Sequence, residues 1–479
     1  MDITKTRFSR KNDKNITISE GLLLLYVFEC VIGGSGRWLE IGSLSIRMIL
    51  FVLAFFATFP KVFRNWKYLT KNLQIIATVV FGVWLIICAV VGYLAENKFG
   101  FIISDITTFI SLSLFPGFLV TMGNKKSIGR LLKVVFCASV TLSVITIGMH
   151  FCLAKWDGNT INVINGYMNE HSLGGMAALN TGMYRVYMRS QIFVQIALIY
   201  GIWLIHNETA INRGVAYVCE GIQLFALILS YTRGFWLGFA VSAGVLLVLE
   251  IKSWKLFMRV LAASLVCALL FVGVSGLLYS GPKVLVEVVN RFDPSLIVLS
   301  GNSKATEVSE SEATVQTEAT DPSESNSSQE TNIHTEVSII NEGAANLRRE
   351  SLRLMCQRIL DAPLLGNGLG ANLDGLRTDG RTEYMYLDVL MKTGFIGLAL
   401  YLLTFFGYVA WCSFRRVKDI VCNHTADTML GSIVIAAYVG ITVTSAFNPF
   451  LNNPMGITVL MITITALMVG QHDSLMSDP

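Results

Sequence analysis

Charged side chains are scarce in this sequence. Asp, Glu, Lys and Arg make up only 15% of its 479 residues, against roughly 25% in soluble domains. Apolar residues reach 53%, above the roughly 45–50% that a soluble domain hides behind a polar shell. A water-soluble fold is excluded, and the apolar excess faces lipid. The net charge of +4 is small, and no basic stripe suits a nucleic-acid partner. Nine cysteines are present, without the spacing of a metal site or a disulfide framework. Cys30, Cys88, Cys137, Cys152, Cys219, Cys267 and Cys412 fall in or beside apolar runs and read as small buried hydrophobes. Cys356 alone lies well inside the largest loop, so that loop has no internal bridge. The basic start, MDITKTRFSRKNDKN, and the apolar stretch from Gly21 to Ile32 lack an A-x-A-like cleavage site. They read as a retained, signal-like anchor rather than a cleaved leader.

What is present is a series of long apolar runs. Crossing a ~30 Å hydrocarbon core takes about 20 helical residues. About twelve such runs occur, near 19–35, 42–59, 73–94, 100–121, 134–154, 187–205, 214–231, 234–250, 260–280, 385–411, 427–446 and 454–470. The fold class expected is therefore all-α and polytopic. Glu29, Arg37, Glu40 and Arg47 interrupt the first two runs and predict charges turned inward or toward an interface. Alternate connections are basic: Lys5 to Lys14, Lys61 to Lys71, Lys125 to Lys133, Lys252 to Arg259, and Arg415 to Lys418. Positive charge stays in the cytoplasm during insertion. Twelve crossings then put both termini inside and the stretch from about Ser280 to Arg381 outside.

Three parts follow: spans one to nine over 1–279, an outer loop over 280–384, and spans ten to twelve over 385–479. Within the loop, residues 301–342 are rich in Ser, Thr and Glu and nearly free of large apolar side chains. Such a segment buries too little surface to offset its chain entropy and should be disordered. Residues 346–383 should be ordered. Asn346 to Leu360, NLRRESLRLMCQRIL, carries apolar residues at helical spacing among arginines, which predicts an amphipathic surface helix ended by Pro363.

Charges at membrane depth are candidates for function. Arg233, in SYTRGFW, sits between two apolar runs that leave no room for a loop; it is either a snorkelling helix-end arginine or a cation held at the outer surface. Gly366, Gly368 and Gly370, in PLLGNGLG, form a side-chain-free turn that lets a backbone or a bulky ligand come close. The turn follows no strand, so a dinucleotide site is not indicated. Glu383 stands at the mouth of the tenth run with Arg377 and Arg381 nearby. It is either an interfacial anion or a general base tuned by desolvation and by the arginines. Asp388 and Lys392 fit a structural i,i+4 pair. Arg185 and Arg189, four apart, would share a helical face and suit a phosphate or pyrophosphate. His171, in NEHSLGG, reads as a loop residue.

These residues together resemble a family. Arg348 about fifteen residues before PLLGNGLG, then an apolar helix containing KTGFIGL, is similar to the C-terminal motif of bacterial O-antigen ligases and O-antigen or capsule polymerases. SYTRGFWLGF looks like that family's arginine motif before its eighth span, and a large outer loop between spans nine and ten matches its architecture. The resemblance implies cofactor-free, metal-independent glycosyl transfer at the outer face of the cytoplasmic membrane. The donor would be a glycan on undecaprenyl pyrophosphate, and the acceptor a hydroxyl on a glycan or lipid. Polysaccharide-assembly proteins would be the natural partners. Arg233 and Arg348, or Arg349 if the alignment slips by one, would hold the pyrophosphate, with Arg185 and Arg189 assisting. Eleven residues before the motif glycine, Gly394, the ligases typically carry a histidine that activates the acceptor; here the residue is Glu383. A carboxylate fills the same role and favours a polymerase over a ligase. The rival is a transporter or flippase of lipid-linked glycans, which predicts internal repeats and charges at the membrane midplane. Neither is evident in the sequence.

Overall fold

The structure, a computed structural model, describes residues 16–34, 36, 38–41, 44–179, 181–207, 212–250, 254–279, 281–292, 346, 349–373, 384–421 and 429–474. Helices dominate, because only a helix or a closed barrel satisfies its backbone groups in hydrocarbon. They are α1 (Ile18–Ile32), α2 (Ile46–Arg64), the single turn α3 (Trp66–Leu69) and α4 (Leu73–Leu94). A 3-10 turn joins α5 (Phe99–Phe109) to α6 (Phe115–Thr121). There follow α7 (Lys125–Leu153), α8 (Gly158–Glu170), α9 (Ile192–Asn207), α10 (Arg213–Leu229), α11 (Arg233–Leu249), α12 (Trp254–Leu278) and α13 (Lys283–Phe292). The chain continues with α14 (349–361), α15 (Met385–Leu402), α16 (Tyr408–Val421), α17 (Met429–Phe447) and α18 (Pro454–Ser474).

A helix lies on each of the twelve apolar runs. Among the described residues, seven helical stretches are long and apolar enough to cross a membrane: Ile46–Arg64, Leu73–Leu94, Phe99–Thr121, Lys125–Leu153, Phe257–Leu278, Met385–Lys418 and Met429–Phe447. Two shorter apolar helices are Arg233–Leu249 and Pro454–Val469. The molecule is an all-α polytopic membrane protein. Polar residues start several helices by accepting an orphan amide: Thr17 from Glu20, Ser45 from Met48, Asn72 from Gln74 and Ile75, and Asn124 from Ser127.

The layers follow from what each helix shows to lipid. α9 is buried along almost all its length, as its uniformly apolar sequence requires. α2, α4 and α12 expose Phe56, Phe59, Val79, Val83, Leu265 and Leu269 at the rim. At the centre α11 crosses α17 where two glycines meet: a Cβ on Gly238 would overlap Thr444, and one on Gly440 would overlap Ser242. Small residues of this kind let two backbones approach where no water drives association.

Two expectations are corrected locally. The chain is not helical throughout: β1 (Glu40–Ile41) pairs antiparallel with β2 (Leu44–Ser45), and β3 (Gly174–Ala178) with β4 (Tyr184–Met188), Gly174 facing Met188 and Ala178 facing Tyr184. Not every cysteine is buried: Cys30, Cys88 and Cys412 are, whereas Cys137 and Cys152 lie exposed on α7, and none of the eight described cysteines is in a disulfide. Of the four charges in the first two runs, Glu29 and Arg47 are buried and Glu40 is exposed. Arg37 and the segment expected to be disordered, 301–342, lie outside the described residues.

Candidate active site in a cationic cavity

One end of the bundle encloses a cavity of about 1160 Å³. Its wall takes Arg47 and Met48 from the start of α2, Asp105 from α5, Arg185 and Tyr187 from β4, and Asp388 and Lys392 from α15. Arg189, Thr232 and the α17–α18 connection from Asn448 to Pro454 complete it. This end is opposite the basic connections. Lys61 and Arg64 close the far end of α2, and Arg415, Arg416 and Lys418 lie on α16.

Three cations of the wall are tied down by side chains or backbone. Arg47 pairs with Glu29 of α1 through Nε and donates from Nη2 to the Gly34 carbonyl at 2.8 Å. The ends of α1 and α2 are thereby joined by a pair whose side chains are 3% and 8% exposed. Lys392, 4% exposed, lies between two carboxylates, 2.9 Å from Asp105 Oδ1 and 3.2 Å from Asp388 Oδ2. Arg185 donates from Nε to the Ser230 carbonyl at 2.7 Å and from Nη2 to Thr232 Oγ1 at 2.8 Å. Its guanidinium also lies over the Tyr187 ring, 5.0 Å from the centroid. Besides the ammonium, which its two carboxylates neutralise, the wall holds three guanidinium groups and several hydroxyl and amide side chains, which suit an anionic, oxygen-rich ligand.

The glycine turn is built into this wall. Gly366, Gly368 and Gly370 are buried with φ of 75°, 79° and 80°, values natural to glycine alone. It is backbone that comes close: a Cβ on Gly368 would overlap Gly92 of α4, and one on Gly366 would overlap Lys392 and Gly394 of α15. The Leu369 amide donates to the Cys88 carbonyl at 2.9 Å, and the Gly370 amide to Asp105 Oδ2 at 2.8 Å. Helix α15 is broken at Gly394, where φ is 65° and ψ −176°. The break separates the Met391 carbonyl from the Phe395 amide, which an intact helix would join. The turn supplies both partners. Met391 accepts from the Asn367 amide at 2.9 Å, and Phe395 donates to the Pro363 carbonyl at 2.8 Å. The apolar face of α14, Met355 and Ile359, packs with Leu373 and Met391 and seats the turn from outside.

The amphipathic helix ended by Pro363 is as the sequence predicts, with residues 351, 355 and 359 buried and Arg349, Arg353 and Arg358 exposed. The pair Asp388–Lys392 is also present. His171 is a loop residue stacked on Tyr167 at 4.1 Å. Arg185 and Arg189 both line the cavity, but not on a helical face as expected. Arg185 is on a strand and Arg189 in the 3-10 turn that follows; side chains four apart on an extended chain also point the same way. Arg233, the first residue of α11, is exposed next to cavity-lining Thr232 and is not itself in the wall. Arg349 is exposed on α14. Gly368 and Gly370 meet helix backbone and side chains, and Leu369 between them reaches the cavity. Arg348, Arg377, Arg381 and Glu383 lie outside the described residues.

Asp105 is the main residue the sequence reading passed over. It stands alone in FGFIISDITTFI, and a carboxylate inside an apolar run is itself a signal. The asparagines of NPFLNNP, residues 448–454, are a second missed polar group between two apolar runs. Among the described residues no cluster of three or more His, Cys, Asp or Glu is placed to hold a metal.

Among curated proteins none matches the chain. Residues 221–402, running from α10 to the end of α15 and so including Arg233, the glycine turn and the break at Gly394, match the family model described as O-antigen ligase.

Proposed function

We propose that this protein is a glycosyltransferase that polymerises or ligates undecaprenyl-pyrophosphate-linked oligosaccharide at the outer face of the bacterial cytoplasmic membrane. The observation that carries this reading is the cavity of about 1160 Å³ with Arg47, Arg185, Arg189 and Lys392 in its wall, at the end of the bundle away from the basic connections. Twelve crossings with both termini in the cytoplasm put that end outside. The loop from 280 to 384 is then outside too. Arg185 and Arg189 bind the pyrophosphate in the cavity, and Arg233 and Arg348 or Arg349 stabilise charge on the leaving group. Arg377 and Arg381 hold the glycan, and Glu383 takes the proton of the acceptor hydroxyl.

The hydroxyl oxygen attacks the anomeric carbon, the bond from that carbon to the pyrophosphate oxygen breaks, and the proton passes to Glu383. One displacement inverts the anomeric centre and needs no metal. A carboxylate in place of the family's histidine favours polymerase over ligase. The transporter reading is not favoured by the family match. The test is purified protein given lipid-linked repeat units, with Glu383→Gln and Arg233→Ala beside wild type, and product stereochemistry read by NMR. Longer glycan from wild type only, with inverted linkages, is expected. Wild type that moves lipid-linked substrate across vesicles without lengthening it overturns the reading.

A further inference from the structure

The Asp105 carboxylate joins three parts of the molecule that are far apart in sequence. Its Oδ2 accepts the Gly370 amide of the glycine turn, 265 residues away. Its Oδ1 accepts from Lys392 of α15, 287 residues away. Lys392 in turn holds Asp388. We infer that Asp105 and Lys392 are positioning residues: an ionic latch that sets the glycine turn, and the outer segment that ends in it, against the cavity wall. The inference rests on the transfer reaction proposed above.

Two observations separate a latch from simple packing. The turn already has neutral anchors: the Asn367 and Leu369 amides donate to α15 and α4, and Asn97 Nδ2 donates to the Asn367 and Leu369 carbonyls at 3.0 Å each. Holding Gly370 would need only one more neutral acceptor. Instead a buried ammonium, 5% exposed, is set between two carboxylates that are each 16% exposed, an arrangement that costs desolvation, and all three side chains line the cavity. A charged link that faces the ligand space ties the position of the turn to the cavity as well as holding the loop. The latch lies next to the break at Gly394, so the turn cannot shift without freeing Met391 and Phe395 as well.

The test uses the full-length protein in nanodiscs, with hydrogen exchange read by mass spectrometry and donor turnover measured in parallel. Asp105→Ala is expected to speed exchange over 366–373 by about tenfold or more, with α7 and α9 unchanged. Turnover should fall by about tenfold or more while KM for the lipid-linked donor stays within about threefold. Asp105→Asn keeps an acceptor for Gly370 without the charge. It should leave exchange near wild type and still lower turnover. The inference is overturned if Asp105→Ala exchanges like wild type over 366–373, or if exchange rises equally in α7 and α9. Full turnover in Asp105→Asn also overturns it. Should wild type lengthen no glycan, the transfer reading fails, and the exchange data still decide on the latch.

Discussion

The two ends of the bundle use the same residue types in opposite ways. At the basic end the cations lie in connections and at helix ends. Arg130 pairs with Glu20 and Arg416 with Glu250, each at 2.8 Å, and Arg416 also donates to Ser432 Oγ at 3.0 Å. At the cavity end Arg47, Arg185 and Lys392 are drawn into the wall and held by backbone carbonyls, a hydroxyl or two carboxylates at once. The basic end has the charge bias that orients a chain during insertion. The cavity end has the fixed geometry that recognises a ligand. Counts of Lys and Arg do not separate the two; the shared cavity does.

The sharpest break in that comparison is expected at Arg47. Arg47→Ala strands Glu29 in a nearly dry site and should cost about 3–5 kcal/mol, read as a fall in the melting temperature of the solubilised protein. The double variant Arg47→Met/Glu29→Leu should recover most of it. Arg185→Ala removes a cavity guanidinium and should lower glycan extension by about 100-fold, measured as product length against time. Arg185→Lys should recover little, since an ammonium cannot serve Ser230, Thr232 and the Tyr187 face together. At the other end Arg416→Ala should cost about 1–2 kcal/mol of stability and leave the donor KM unchanged. Smallest of all, Arg353→Ala breaks an exposed 3.6 Å pair with Glu350 and should cost less than about 0.5 kcal/mol. A donor KM raised by Arg416→Ala would remove the distinction between the ends.

Most of the fold was legible because membrane helices announce themselves by apolar length, and a helix lies on each of the twelve runs. The α14 helix was equally plain, since three buried positions four apart mark one face. Short range was the common factor: the Asp388–Lys392 pair is one helical turn. What escaped depends on distance along the chain. Nothing near Asp105 names Gly370 or Lys392 as its partners, and nothing near PLLGNGLG says that its carbonyl and amide complete a broken helix. The β3–β4 hairpin was lost for another reason. Five-residue strands such as GGMAA and YRVYM give too few alternations to compete with the apolar run beginning beside them. The residues proposed for chemistry divide likewise: Arg185 and Arg189 reach the cavity from a hairpin, where a helix was expected.

The break in α15 sets a limit on how this chain can be recombined. The Met391 carbonyl and the Phe395 amide bond to Asn367 and Pro363, so the bonds that bridge the break come from the preceding turn and not from the helix itself. Grafting the outer segment of a homologue onto this bundle, or this segment onto another, would leave an amide and a carbonyl open at membrane depth unless both halves move together. The smallest exchangeable unit therefore runs from Pro363 through Phe395, loop and helix as one inheritance.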